Sequence, residues 1–134
     1  MALQWTQDLT TMIAEIDDQH KELFKQLDTL LSAWKNGKGR EETEKIIRFL
    51  NDYVTFHFGT EEKYMDKFAY TNTSAHKAQH AVFVNSWERL KERYFRSGSD
   101  DQLIRETNEQ VVDWFVNHIR YVDKALGLFL KRKL

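Results

Sequence analysis

Cysteine and proline are both absent from the 134 residues, and glycine occurs only five times. Without thiols there is no disulfide, thiolate metal site, iron–sulfur cluster or cysteine nucleophile, so any bound metal must be held by nitrogen and oxygen. Without proline, helices can run long without a forced kink. No apolar run approaches the length of a bilayer span, and Met1 to Asp8 lacks the basic start and apolar stretch of a signal peptide. Neither sign of charge dominates. With 20 basic and 21 acidic residues the net charge is −1, which gives no reason to expect nucleic acid or an anionic membrane as a partner. The expectation is a cytoplasmic protein.

What remains is one domain's length of chain, residues 1–134, with a hydrophobic share of 41% that supports a real core. Nine Phe, five Tyr and four Trp predict that this core is bulky and aromatic. Apolar residues recur at helical spacing in four stretches. The first runs through Ile13, Ile16, Leu23, Phe24, Leu27, Leu30, Leu31 and Trp34, and Asn36-Gly37-Lys38-Gly39 stops it. The second runs through Ile46, Phe49, Leu50, Tyr53, Val54, Tyr64 and Met65, and a turn follows around Ala69 to Ser74. Phe83, Val84, Trp87, Leu90 and Tyr94 carry the third, which ends at Ser97-Gly98. Ser99 to Gln102 reads as a capping box that opens a fourth helix bearing Leu103, Ile104, Val111, Trp114, Phe115, Ile119 and Val122. Leu126 to Leu130 reads as a short final helix. Short connections between long helices predict an all-α, antiparallel up-down-up-down four-helix bundle with an N-terminal arm.

The histidines then become informative. His57 and Glu61 stand four apart, as do His76 and His80, so each pair points from one helical face. His20 lies early in the first helix and His118 late in the fourth. Measured from the far-end loops, all these positions are roughly 16 to 19 residues away, about 24–29 Å at 1.5 Å per residue. An antiparallel bundle therefore brings all five imidazoles to one layer. A lone histidine on an apolar face is usually a hydrogen-bonded core residue, and a bare H-x-x-x-H is a weak motif that lacks the glutamate of zinc peptidases. Five imidazoles and a carboxylate at one level are different, because buried unpaired they would be costly. Tyr53, Phe56, Phe83, Trp87, Trp114 and Phe115 are expected to surround them. A metal supplies the compensation, and this many donors suits two ions better than one. Asp123 is the natural second carboxylate, yet five residues after His118 it would lie about 140° away on a straight helix. A π-type widening or a fraying end is expected there. Asp113, Asp17 and Asp18 are rival acids, the last two reading as first-turn charges that suit the helix dipole. Glu62 is expected to be dispensable if it faces solvent.

On Ile16-Asp17-Asp18-Gln19-His20-Lys21, His57-Phe58-Gly59-Thr60-Glu61-Glu62 with Met65, His76-Lys77-Ala78-Gln79-His80, Trp114-Phe115-Val116-Asn117-His118-Ile119 and Asp123, the chain resembles the hemerythrins, specifically a single-domain bacterial hemerythrin-like protein. The likeness spans Trp5 to Asp123 and uses every histidine. It implies two iron ions: His76, His80 and His118 on one, His20 and His57 on the other. Glu61, Asp123 and an oxo or hydroxo group would bridge them. It also implies reversible O2 binding at the open position of the two-histidine iron, for storage, delivery or scavenging, with Trp114, Phe115 and Ile119 at the O2 pocket. The alternatives are an O2, redox or NO sensor acting through a separate partner, and a peroxide- or NO-consuming enzyme; the first reading is not an enzyme, and a monomer is favoured. Neutral imidazoles with only two carboxylates make a less anionic site than carboxylate-rich di-iron oxygenases have, which favours reversible binding over oxygen activation. Three departures from the family pattern stand out: Met12 in place of a glycine, no proline near the start of the third helix, and Phe115 in place of a leucine.

Overall fold

A computed structural model describes residues 4–134, so Met1 to Leu3 of the stretch read for a signal peptide lie outside the described residues. Helices α1 (Ala14–Lys35), α2 (Arg40–Lys67) and α3 (Thr73–Ser97) are followed by a fourth helical run, α4, over residues 101–131. Loops of four, five and three residues join them and enforce the antiparallel bundle. Among the described residues no helix is long and apolar enough to cross a membrane. Gly37 and Gly98 take the positive φ that ends α1 and α3. Ala69 does the same after α2 without glycine's freedom, and the amide of Tyr70 closes the turn onto the Met65 carbonyl at 2.9 Å. The cap of α4 is Asp100, one residue later than the expected box, accepting from the Leu103 amide at 2.7 Å.

The fourth helix carries the most consequential local structure. Leu103, Thr107, Val111, Phe115, Ile119 and Asp123 follow one another at every fourth position and are all fully buried. On an ideal α-helix each step of four turns the side chain about 40° further round, so the stripe would leave the core after two or three steps. Two π turns, Asn108–Asp113 and His118–Asp123, take up that drift. The second is the distortion expected between His118 and Asp123, and it turns both inward. The short final helix, Lys124–Lys131, continues from it without a break.

Two apolar plugs sandwich the histidine layer. The larger includes Leu23, Phe24, Leu50, Phe83, Trp87 and Phe115, and the smaller consists of Ile13, Ile16, Met65, Leu126 and Leu130. The N-terminal arm closes the smaller end. Asp17 is buried and accepts from the Thr11 amide at 2.8 Å, from the Thr11 hydroxyl at 2.7 Å and from Thr10. Its role is to clamp the arm, which a dipole charge need not do. Gly127 allows the close approach, since a Cβ there would lie 2.0 Å from the Thr11 carbonyl oxygen. Met12 sits at φ +69° in this clamp, the left-handed conformation that glycine adopts without strain.

Candidate metal centre

His20, His57, Glu61, His76, His80, His118 and Asp123 meet in one layer, each at most 3% exposed. The rivals do not join them: Asp18 and Asp113 are exposed, and Asp17 holds the arm. The five imidazoles turn Nε2 toward the two carboxylates, and the contacts sort by oxygen. Glu61 Oε1 faces His76 at 3.2 Å and His80 at 3.0 Å, while Asp123 Oδ1 faces His76 at 3.0 Å and His118 at 3.1 Å. The other oxygens look the opposite way. Glu61 Oε2 faces His20 at 3.5 Å and His57 at 3.3 Å, and Asp123 Oδ2 faces His20 at 3.0 Å. Each carboxylate thus spans two compartments, one with three imidazoles and one with two.

Hydrogen bonds on the far side of the rings fix which nitrogen carries the proton. The Thr60 hydroxyl donates to the Phe56 carbonyl at 3.1 Å and so accepts from Gln19 Nε2 at 3.2 Å. That orients Gln19 with Oε1 toward His57 Nδ1 at 2.8 Å, which must donate. His118 Nδ1 donates in the same way to Gln79 Oε1 at 2.9 Å, and His80 Nδ1 to Glu62 Oε2 at 3.0 Å. In their neutral forms these three rings present a bare lone pair at Nε2, facing carboxylate oxygens that carry only lone pairs. Such an arrangement is repulsive unless a cation lies between. Nε2 of His20, His57 and His118, Glu61 Oε2 and both Asp123 oxygens find no hydrogen-bond partner despite complete burial. Bonds of about 2.1 Å from one ion set neighbouring donors roughly 3.0 to 3.4 Å apart, which is the spacing found. The residues fit metal.

Ring packing holds the set in place. Phe58 stacks on His80 with centroids 3.8 Å apart and planes 7° apart, and Trp114 stacks on His118 at 4.6 Å and 11°. Phe115 stands edge-on to His20 at 5.6 Å and lies 6.1 Å from His57. It also borders an apolar packing gap, too tight to admit a water molecule, lined by Leu23, Leu50, Val54 and Phe83. Phe83 and Phe115 are buried as expected, whereas Phe56 is 56% exposed. It lies on the outer flank of α2 beside Tyr53, so the sequence reading that set it around the site is corrected. Glu62 is half-buried, with its carboxylate against His80 Nδ1 and the rest of the side chain open to water.

Protonation follows from the same contacts. Burial works against a charged His20, but Asp123 and Glu61 outweigh it and raise its pKa to about 9. His76 reaches about 9 by the same balance. Burial prevails at His57 and pushes it down. Although burial opposes both acids, His57, His20 and His76 hold Glu61 well below the carboxylate range, and His118 and His20 hold Asp123 below it. Without metal, two imidazolium ions would therefore balance two carboxylates. A bound metal would take over that role.

A family profile for the hemerythrin HHE cation binding domain matches residues 11–127. The chain belongs to the hemerythrin family. It is 38% identical over 129 residues to a bacteriohemerythrin of Methylococcus capsulatus, covering 95% of this chain and 96% of that one. A bacteriohemerythrin of Pseudomonas aeruginosa is 34% identical over 121 residues, covering 90% and 76%. The crystal structure of a wild-type hemerythrin superposes with a TM-score of 0.82 at 34% identity, covering 96% of this chain and 97% of the other. The bundle carries a His, Glu and Asp cluster that could hold metal.

Of the three side chains that orient the rings, Gln19 and Gln79 were not singled out in the sequence, and Glu62 was read as dispensable if it faced solvent. Their one signal is adjacency, since each directly precedes or follows a candidate ligand.

Proposed function

We propose that this hemerythrin binds O2 reversibly at a non-haem di-iron centre. His76, His80 and His118 would hold one iron, and His20 and His57 the other. Glu61 and Asp123 would bridge the two. The observation that carries this reading is the unequal division of donors: five side chains converge on one side of the cluster and four on the other. A missing donor on the His20 and His57 side leaves room for a small exogenous ligand. When bound, such a pair of irons would supply the two electrons for reversible reduction of O2.

The chain's own residues do the rest. The Nδ1 donors of His57, His80 and His118 are fixed by Gln19, Glu62 and Gln79, which keeps each Nε2 lone pair on the metal side. Phe115 and Ile119, both fully buried, keep water away from the two-histidine side. Phe115 borders the candidate O2 pocket there, and its ring narrows the space that a smaller leucine would leave. Trp114 stacks on the opposite half through His118, so within this reading its part is to hold that ring.

The visible spectrum tests the proposal. Iron-loaded protein purified under reductant should be pale, become intensely coloured in air, and return to pale when O2 is removed. Colour that forms once and never reverses would favour redox sensing or turnover. A colourless protein carrying zinc would defeat every iron reading.

A further inference from the structure

The three ring partners are not alike. Gln19 and Gln79 are neutral amides, whereas Glu62 offers His80 a carboxylate. His20 Nδ1 and His76 Nδ1 find no partner at all. One imidazole of five is therefore singled out for a charged acceptor, and it belongs to the three-histidine half. Glu62 is also the member of this outer set that lies at the floor of a groove between α2 and α3. The groove is open to solvent, offers about 540 Å3 and is bordered by Gly59, Lys77, His80 and Val84. The Glu62 side chain is 34% exposed there, against 4% for His80.

We propose that Glu62 is a positioning residue that sets the electronic balance between the two metals: its carboxylate, hydrogen-bonded to His80 Nδ1, makes the three-histidine ion the more tightly held and the more easily oxidised of the pair. A carboxylate acceptor draws the Nδ1 proton toward itself and pushes electron density to Nε2, which makes that nitrogen a stronger donor. Ring placement does not depend on it alone, because Phe58 already stacks flat against His80. Loss of the charge should therefore change the metal without displacing the ring. The inference rests on the di-nuclear reading above but does not require O2 as the ligand.

Cobalt(II) competition titrations of the metal-free full chain test it, beside the midpoint potential of the iron-loaded form. Glu62→Gln keeps the shape and the hydrogen bond while removing the charge. It should still bind two cobalt ions, with the affinity of one site lowered about 10- to 100-fold. Its iron-loaded midpoint should move upward, and unfolding of the metal-free chain should be unchanged. Gln79→Glu places a carboxylate on His118 and should tighten cobalt binding in the same half, an outcome that a purely structural role for these side chains does not produce. Equal cobalt affinities and equal midpoints for Glu62→Gln and the unaltered chain would overturn the proposal. Normal cobalt behaviour with no reversible colour on iron would instead sink the O2 reading and leave this one standing.

Discussion

The two halves of the cluster differ in more than their count of imidazoles. His76, His80 and His118 sit beside stacked rings and outer partners, two of which, Glu62 and Gln79, reach the surface. His20 and His57 are fully buried, and Phe115 packs against both and borders a tight apolar gap in the core. On the proposed reading, one half holds and tunes an ion. The other, buried and one donor short, would take a small apolar gas. Chemistry is thus divided by the surroundings as much as by the ligands.

Glu61→Ala should break the comparison most severely, because Glu61 gives one oxygen to each half. Iron content should fall from two ions per chain to one or none by metal analysis, whereas Asp113→Ala, at an exposed position, should keep both.

Protons provide the next test. His20 and His76 each rise from 6.5 to about 9. The stability this gives the metal-free chain is complete below pH 6.5 and is lost as pH rises through about 9. The thermal midpoint of the metal-free protein should therefore fall across that window, while metal affinity increases over it as both halves shed their protons. Loading at pH 7 should release protons measurably, and an affinity independent of pH between 6.5 and 9 would contradict the assignment.

Phe115→Leu should act on the dry half alone. O2 dissociation or autoxidation rates should change in stopped-flow traces while metal content stays at two. Unaltered rates would remove Phe115 from the pocket. Smallest of all, Met12→Gly relieves a left-handed conformation remote from both halves, for a gain of about 1 kcal/mol in urea unfolding.

Much of this organisation was legible in the sequence because helical periodicity and antiparallel topology together fix the height of a residue. That was enough to bring His20, His57, His76, His80 and His118 to one level. The interval between His118 and Asp123 called for a π widening or a fraying end, since no straight helix faces both inward, and the π turn is what forms. The first π turn, Asn108–Asp113, has a subtler mark. It shows only in the four-residue recurrence from Leu103 to Asp123, which includes a threonine at 107 that apolar counting passes over. Phe56 misled because hydrophobicity does not say which flank of a helix meets the core. Gln19, and the part Glu62 plays, were hidden for another reason: a single polar residue beside a ligand looks the same whether it bonds a ring or meets water.

The most direct test is a crystal structure of the iron-loaded chain with anomalous data collected at the iron edge. Two peaks are expected, one bounded by His76, His80 and His118 and the other by His20 and His57, with Glu61 and Asp123 touching both. A single peak, or a second ion held away from His20 and His57, would contradict the division on which O2 binding here depends.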